Sequence, residues 1–84
     1  MSVDESGDVR KLVEEIVKAL VDSPGEVAIR ATDGEQGMNL ELRVAAADMG
    51  RVIGKQGRTA RSIRTILGAA GMKLHKRFTL EILE

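Results

Sequence analysis

The sequence predicts a single α+β domain in the order α-β-β-α-α-β, a three-stranded sheet with three helices on one face. Three observations lead there. Eighty-four residues hold one hydrophobic core and no more. Apolar residues recur with a helical period in three segments and with period two in three others. Each period-two segment has one apolar and one polar side, so one face of the sheet should be packed and the other wet. At 43% hydrophobic and 31% charged residues the chain has the composition of an ordinary folded domain.

The elements follow in order. Residues 1–7 are expected to be a flexible leader, with the domain running from 8 to 84. Val9, Leu12, Val13, Ile16, Val17, Leu20 and Val21 trace one face of an amphipathic helix, with Asp8 as its expected N-cap. Asp22-Ser23-Pro24-Gly25 ends it, because proline cannot continue a helix and glycine accepts the turn beyond. Val27, Ile29 and Ala31 then alternate with Ala28, Arg30 and Thr32, and Met38, Leu40, Leu42 and Val44 alternate with Asn39, Glu41 and Arg43. These read as two half-buried strands of a hairpin, joined through Asp33-Gly34-Glu35-Gln36-Gly37. A short helix spans Ala46 to Ile53, and after Gly54-Lys55-Gln56-Gly57 a longer one runs from about Arg58 to Ala70. Ala60, Ile63, Leu67 and Ala70 form its apolar face, with Ile66 alongside and Gly71 as its expected C-terminal stop. The chain closes with alternation of Leu74, Phe78, Leu80 and Ile82 against His75, Arg77, Thr79 and Glu81, the third strand.

The formal charge is zero, but the charges are segregated. Residues 1–50 carry five basic and eleven acidic side chains, a net of −6; residues 51–84 carry eight basic side chains against Glu81 and Glu84, a net of +6. One electropositive region points to an anionic partner, with nucleic acid first. The chemical inventory argues against an enzyme. With no cysteine there is no thiolate nucleophile, disulfide or thiolate metal site. The lone His75 reads as a polar-face strand residue, and no nucleophile or carboxylate cluster stands out, so no cofactor or metal is expected. The acidic start, Met1 to Asp8, is unlike a basic-then-apolar leader, and no apolar run approaches the roughly 20 residues that span a bilayer, so a cytoplasmic protein with no membrane partner is expected.

The feature that carries chemistry is Gly54-Lys55-Gln56-Gly57, a turn between two helices. Glycine lets another backbone approach, and the N–H groups opening the following helix suit a phosphate. Lys55 and Arg58 add cations, and Arg58, Arg61 and Arg64, spaced i, i+3, i+6, form a basic track leading away from the turn. A P-loop is the obvious rival and its spacing fails: Met49 stands where its first glycine belongs and Gln56 where Ser or Thr should follow the lysine.

Arg51-Val52-Ile53-Gly54-Lys55-Gln56-Gly57-Arg58, followed by Ile63 and Ile66, resembles the signature of the KH domain, in which a GxxG loop between two helices clamps about four nucleotides of a single strand. The α-β-β-α-α-β order is that of the bacterial type II variant. Nothing is appended, so the chain resembles the small stand-alone bacterial KH proteins of the KhpA family. That resemblance implies a single-stranded RNA-binding protein, a probable RNA chaperone, acting as a homodimer or with a larger KhpB (Jag)-type KH protein in cell-shape and cell-wall regulation. Carried over, Gly54, Lys55, Gln56 and Gly57 form the clamp, and Arg58 and Arg51 meet phosphates. Val52, Ile53, Ile63 and Val44 line an apolar groove under the bases, unless they are core residues. Arg61 and Arg64 extend the contact, unless they lie on a solvated face. Lys73, Lys76 and Arg77 either extend the patch or lie on the far side of the sheet, the latter being expected. A groove of aliphatics fits a chain whose only aromatic is Phe78. With about three to four phosphates neutralised, log K should fall against log salt with a slope of roughly −2 to −3. The competing reading is a KH-fold interaction scaffold whose partner carries the RNA binding.

Overall fold

The computed structural model describes residues 5–35 and 37–83. Helix α1 (Glu5–Leu20) leads through a 3-10 turn (Pro24–Glu26) into strands β1 (Ala28–Gly34) and β2 (Gly37–Arg43). A second 3-10 turn (Ala46–Asp48) opens the short helix α2 (Met49–Ile53); a third (Lys55–Gly57) joins it to α3 (Arg58–Leu74), and β3 (Phe78–Leu83) ends the chain. The sheet order is β1-β2-β3, with β1 and β2 antiparallel and β2 and β3 parallel. Parallel pairing demands a crossover, and α2 and α3 supply it. The expected α-β-β-α-α-β fold is therefore present, its connections tightened by 3-10 turns.

The core lies between the sheet and the helices. Val9, Val13 and Val17 descend one side of α1 at four-residue spacing and Val21 follows just beyond its end, Met38, Leu40 and Leu42 project from β2, Ile63 and Leu67 from α3, and Phe78 and Leu80 from β3. In register, Met38 faces Phe78 and Leu40 faces Leu80, so β2 and β3 present one continuous apolar face. The opposite face is polar: Thr79 donates to Asn39 Oδ1 at 2.8 Å, and Asn39 Nδ2 lies 3.5 Å from Glu81 Oε1.

Several local expectations are corrected. The described part of α1 reaches back to Glu5, so Asp8 is a helical residue and not its N-cap; residues 1–4 of the expected flexible leader, and Gln36 of the hairpin connection, lie outside the described residues. Leu12 and Leu20 are exposed, leaving the valine stripe as the buried part of the apolar face. Strand β1 is exposed along nearly its whole length, with only Ile29 half-buried, because the core is built on β2 and on β3, the other edge strand, and reaches β1 only at Ile29. Gly71 is not a stop but a buried helical residue, and α3 continues to Leu74, which belongs to the helix and not to the strand. The stop is His75, in the left-handed conformation (φ 56°, ψ 40°), where a polar-face strand residue was expected. Gly71 is needed for a different reason: the reversing chain lays the Lys76 carbonyl so close that a Cβ on Gly71 would sit 2.3 Å from its oxygen.

Candidate nucleic-acid interface

The GxxG turn has the conformation its sequence suggests. Gly54 adopts φ 77°, ψ 170°, a region open essentially to glycine alone, and a Cβ there would strike the Thr59 side chain and backbone nitrogen. Gly57 is left-handed (φ 74°, ψ 14°), yet a Cβ on it would meet nothing within 4 Å. One glycine is therefore demanded by packing beneath the turn, and the other stands open to whatever approaches from outside. Gln56 between them is also left-handed (φ 57°), and Gly57 N–H closes the turn on the Gly54 carbonyl at 3.1 Å. α3 begins directly after it without a side-chain cap, so the positive end of a 17-residue helix stands at the turn.

The cations divide. Lys55, Arg58 and Arg61 are exposed, and among the described residues their side chains have no ion pair or hydrogen bond. Arg64 donates to the Leu80 carbonyl at 3.3 Å, which ties it to β3. Arg51 is held by two carboxylates, 3.0 Å from Asp22 Oδ2 and 3.9 Å from Asp48 Oδ1. Its charge is thus balanced within the fold, unlike that of Arg58. The groove residues divide as well. Val52 is closed to solvent and Ile63 nearly so, and both pack in the core, where no base can touch them, contrary to the expected groove lining. Ile53, 39% exposed, and half-buried Val44 are the ones left at the surface. Lys73, Lys76 and Arg77 lie at the other end of α3 and in the turn to β3, with Lys76 3.9 Å from Asp33 Oδ1.

One residue that supports the site escaped the sequence reading. Asp48 is 2% exposed, immediately before α2, and its carboxylate accepts the N–H groups of Asp22 at 3.2 Å and Ser23 at 3.0 Å. It pins the start of α2 to the segment after α1 and so fixes the short helix that carries Gly54. Its partners lie 25 and 26 residues away, so no local pattern could have marked it.

The charge field around the turn is one-sided. From Met49 to Leu80 there is no acidic residue, while the same stretch holds eight lysines and arginines. Among the described residues no group of three or more metal-ligating side chains occurs, and no helix is long and apolar enough to cross a membrane.

Comparison with known proteins agrees with this geometry. The chain matches the model of the KhpA/KhpB KH domain over residues 10–82. It is 52% identical to the RNA-binding protein KhpA of Clostridium acetobutylicum, covering 89% of this chain and 100% of that one. It is 49% identical to the protein of the same name from Borreliella burgdorferi (95% and 98% covered) and 50% identical to that of Aquifex aeolicus (90% and 96%). Among solved structures, an Aquifex aeolicus Era variant with bound GDP superposes with a TM-score of 0.61 at 19% identity, over 88% of this chain and 29% of that one, a likeness of fold alone. A GxxG turn between two helices, set in an α-β-β-α-α-β domain and matched nearly end to end by these relatives, places the chain in the KhpA/KhpB KH-domain family.

Proposed function

We propose that this chain binds single-stranded RNA, gripping the sugar–phosphate backbone at Gly54-Lys55-Gln56-Gly57, and acts as a non-enzymatic RNA chaperone in the cytoplasm. The observation that carries the reading is the open space over Gly57, flanked by Lys55 and Arg58, whose side chains have no partner among the described residues. A strand's backbone can enter where a side chain would block it, and its phosphates meet cations that need not be released from carboxylates first. The relatives' shared description as RNA-binding proteins supports the same chemistry. Ile53 and Val44 offer the aliphatic surface on which bases rest, and Arg58 and Arg61 continue the phosphate contact. Arg51 and Arg64 contribute less directly, through Asp22 and Leu80. Exposed Ile66 on α3 favours association with a second copy or with a larger KhpB-type protein, and cell-shape and cell-wall control is the process in which such a pair would act.

The test is fluorescence anisotropy of a labelled mixed-sequence RNA with the wild type and with the double variant Lys55→Asp/Gln56→Asp. Both glycines are kept, so the turn survives, while two negative charges face the phosphates. The wild type should bind with a salt slope of roughly −2 to −3, and the folded variant should lose binding at least about tenfold. Equal behaviour of the two would remove the turn from the RNA site and bring the scaffold reading forward.

A further inference from the structure

Resting on the single-stranded RNA reading above, we propose that the chain holds a second RNA-backbone contact at the turn between α3 and β3, made by Lys73, His75 and Arg77. The strand would leave the GxxG turn and run along α3 to reach it.

The path is defined by the helix. Arg58, Arg61, Thr65, Gly68 and Met72 follow one another at spacings of three and four residues, so they share one face of α3, and all five are exposed. No acidic residue lies anywhere on α3. The face ends at a surface hollow of about 380 Å³ lined by Gly68, Met72, His75 and Arg77 among others. A second hollow, of about 470 Å³, shares Arg77 with it and has Glu35 in its lining. Gly68 has no Cβ to narrow the approach, and a Cβ built there would meet nothing within 4 Å.

The turn itself is held firmly, which suits a contact that must not pay for its own ordering. Two glycines from different elements press on consecutive carbonyls: a Cβ on Gly71 would strike the oxygen of Lys76, and one on Gly37 would strike that of Arg77. Met38 N–H donates to the Arg77 carbonyl at 2.8 Å, and Lys76 N–H to the Gly71 carbonyl at 2.9 Å. Among the described residues, the side chains of Lys73, His75 and Arg77 make no hydrogen bond or ion pair, whereas Lys76 is engaged by Asp33 and is left out of the contact. The simplest competing account is that these cations merely complement the negative end of α3.

At about 1.5 Å per residue the 17 residues of α3 separate the two turns by about 25 Å, and about four nucleotides are taken up in the grip of the loop itself, so the second contact is reached by a longer strand. The experiment measures anisotropy with oligoribonucleotides of about four and about twelve nucleotides. The proteins are the wild type, Lys73→Gln/Arg77→Gln and Lys55→Asp/Gln56→Asp, each checked for folding by circular dichroism. With the short strand the wild type and Lys73→Gln/Arg77→Gln should bind alike. With the long strand the wild type should bind about tenfold tighter than that variant at low salt, its salt slope steeper by about 1.4, as two further single-strand phosphate contacts require. The extra binding registers of a long strand are common to both proteins and cancel in the ratio. Equal affinities at both lengths would mean that the cations only complement the helix end, and an equal loss at both lengths would mean that the variant disturbs the first site; either outcome overturns the second contact. Failure of the primary reading looks different: the short strand would bind Lys55→Asp/Gln56→Asp as well as it binds the wild type. A wild type that binds neither length would end both.

Discussion

At its N-terminal end α3 starts from Gly57, and near its C-terminal end it contains Gly71. Gly57 is favoured by its left-handed backbone and Gly71 by a close neighbour, and the space each leaves is used differently. Above Gly57 there is nothing within 4 Å; against Gly71 lies the carbonyl of Lys76, where a Cβ would be 2.3 Å away. The fold consumes one vacancy and leaves the other for a partner. The same division runs through the charges: Arg51 is spent on Asp22 and Asp48, while Arg58 faces solvent uncommitted. Closeness to the GxxG turn in sequence therefore does not by itself decide which groups bind. What decides it is whether the fold has already supplied a partner.

The largest expected effect comes from forcing a side chain into each vacancy. Gly71→Ala puts a methyl onto a backbone oxygen that cannot rotate away, and should cost about 2–3 kcal/mol, read as a fall in the urea midpoint at unchanged slope. RNA affinity, corrected for the folded fraction, should stay the same. Gly57→Ala should cost only the left-handed strain, about 1 kcal/mol, but place its methyl where the strand enters and weaken binding by about tenfold. If Gly71→Ala impaired binding by folded protein as much as Gly57→Ala, the distinction between filled and open vacancies would be wrong.

Next in size is Asp48, the buried carboxylate. Asp48→Ala leaves two part-buried N–H groups without their charged acceptor and should lose about 2–3 kcal/mol. Asp48→Asn, which keeps one acceptor oxygen, should lose roughly half of that. Both are read as shifts in the thermal midpoint. Because Asp48 touches no part of the GxxG turn, its variants should keep the wild-type salt slope at temperatures where they remain folded; a flatter slope would show that α2 is not simply pinned but that its pinning sets the phosphate contacts.

How much of this could be read from the sequence follows the same boundary. Positions whose role is local were legible. The valines of α1 and the alternation of Met38, Leu40 and Leu42 announce themselves because burial on one face imposes the period. The GxxG turn was legible because its conformation depends on four consecutive residues and on Thr59 just beyond them. Gly71 was misread because a glycine that ends a helix and a glycine that admits a carbonyl from beyond the helix have the same local surroundings. His75 takes the left-handed position that the sequence assigned to Gly71, an assignment set by where β3 must begin. Val52 and Ile63 were ambiguous in the sequence, as aliphatics at helical spacing serve a core and a groove equally well, and burial placed them in the core. Arg51 and Arg58 flank the same motif, and what separates them is the pairing of Arg51 with Asp48 and with Asp22, which is brought across from the end of α1.

That separation gives the smallest and sharpest prediction. Arg58→Gln should leave stability unchanged and reduce the steepness of the salt slope by about 0.7, the value of one phosphate contact on a single strand. Arg51→Gln should do the reverse. Its pair with Asp22 is exposed on both sides and contributes at most about 1 kcal/mol, so a small loss of thermal stability is expected with the slope intact. Asp22→Asn then makes the two arginines comparable, for it removes the nearer carboxylate and leaves Asp48 at 3.9 Å. If an ion pair with Asp22 is what keeps Arg51 from RNA, this variant should bind more tightly, with a steeper slope, and the gain should vanish when Arg51→Gln is added. A gain that survives the second substitution would instead be the general effect of removing one negative charge near the strand, and Arg51 would then be too far from the phosphates to reach them under any pairing.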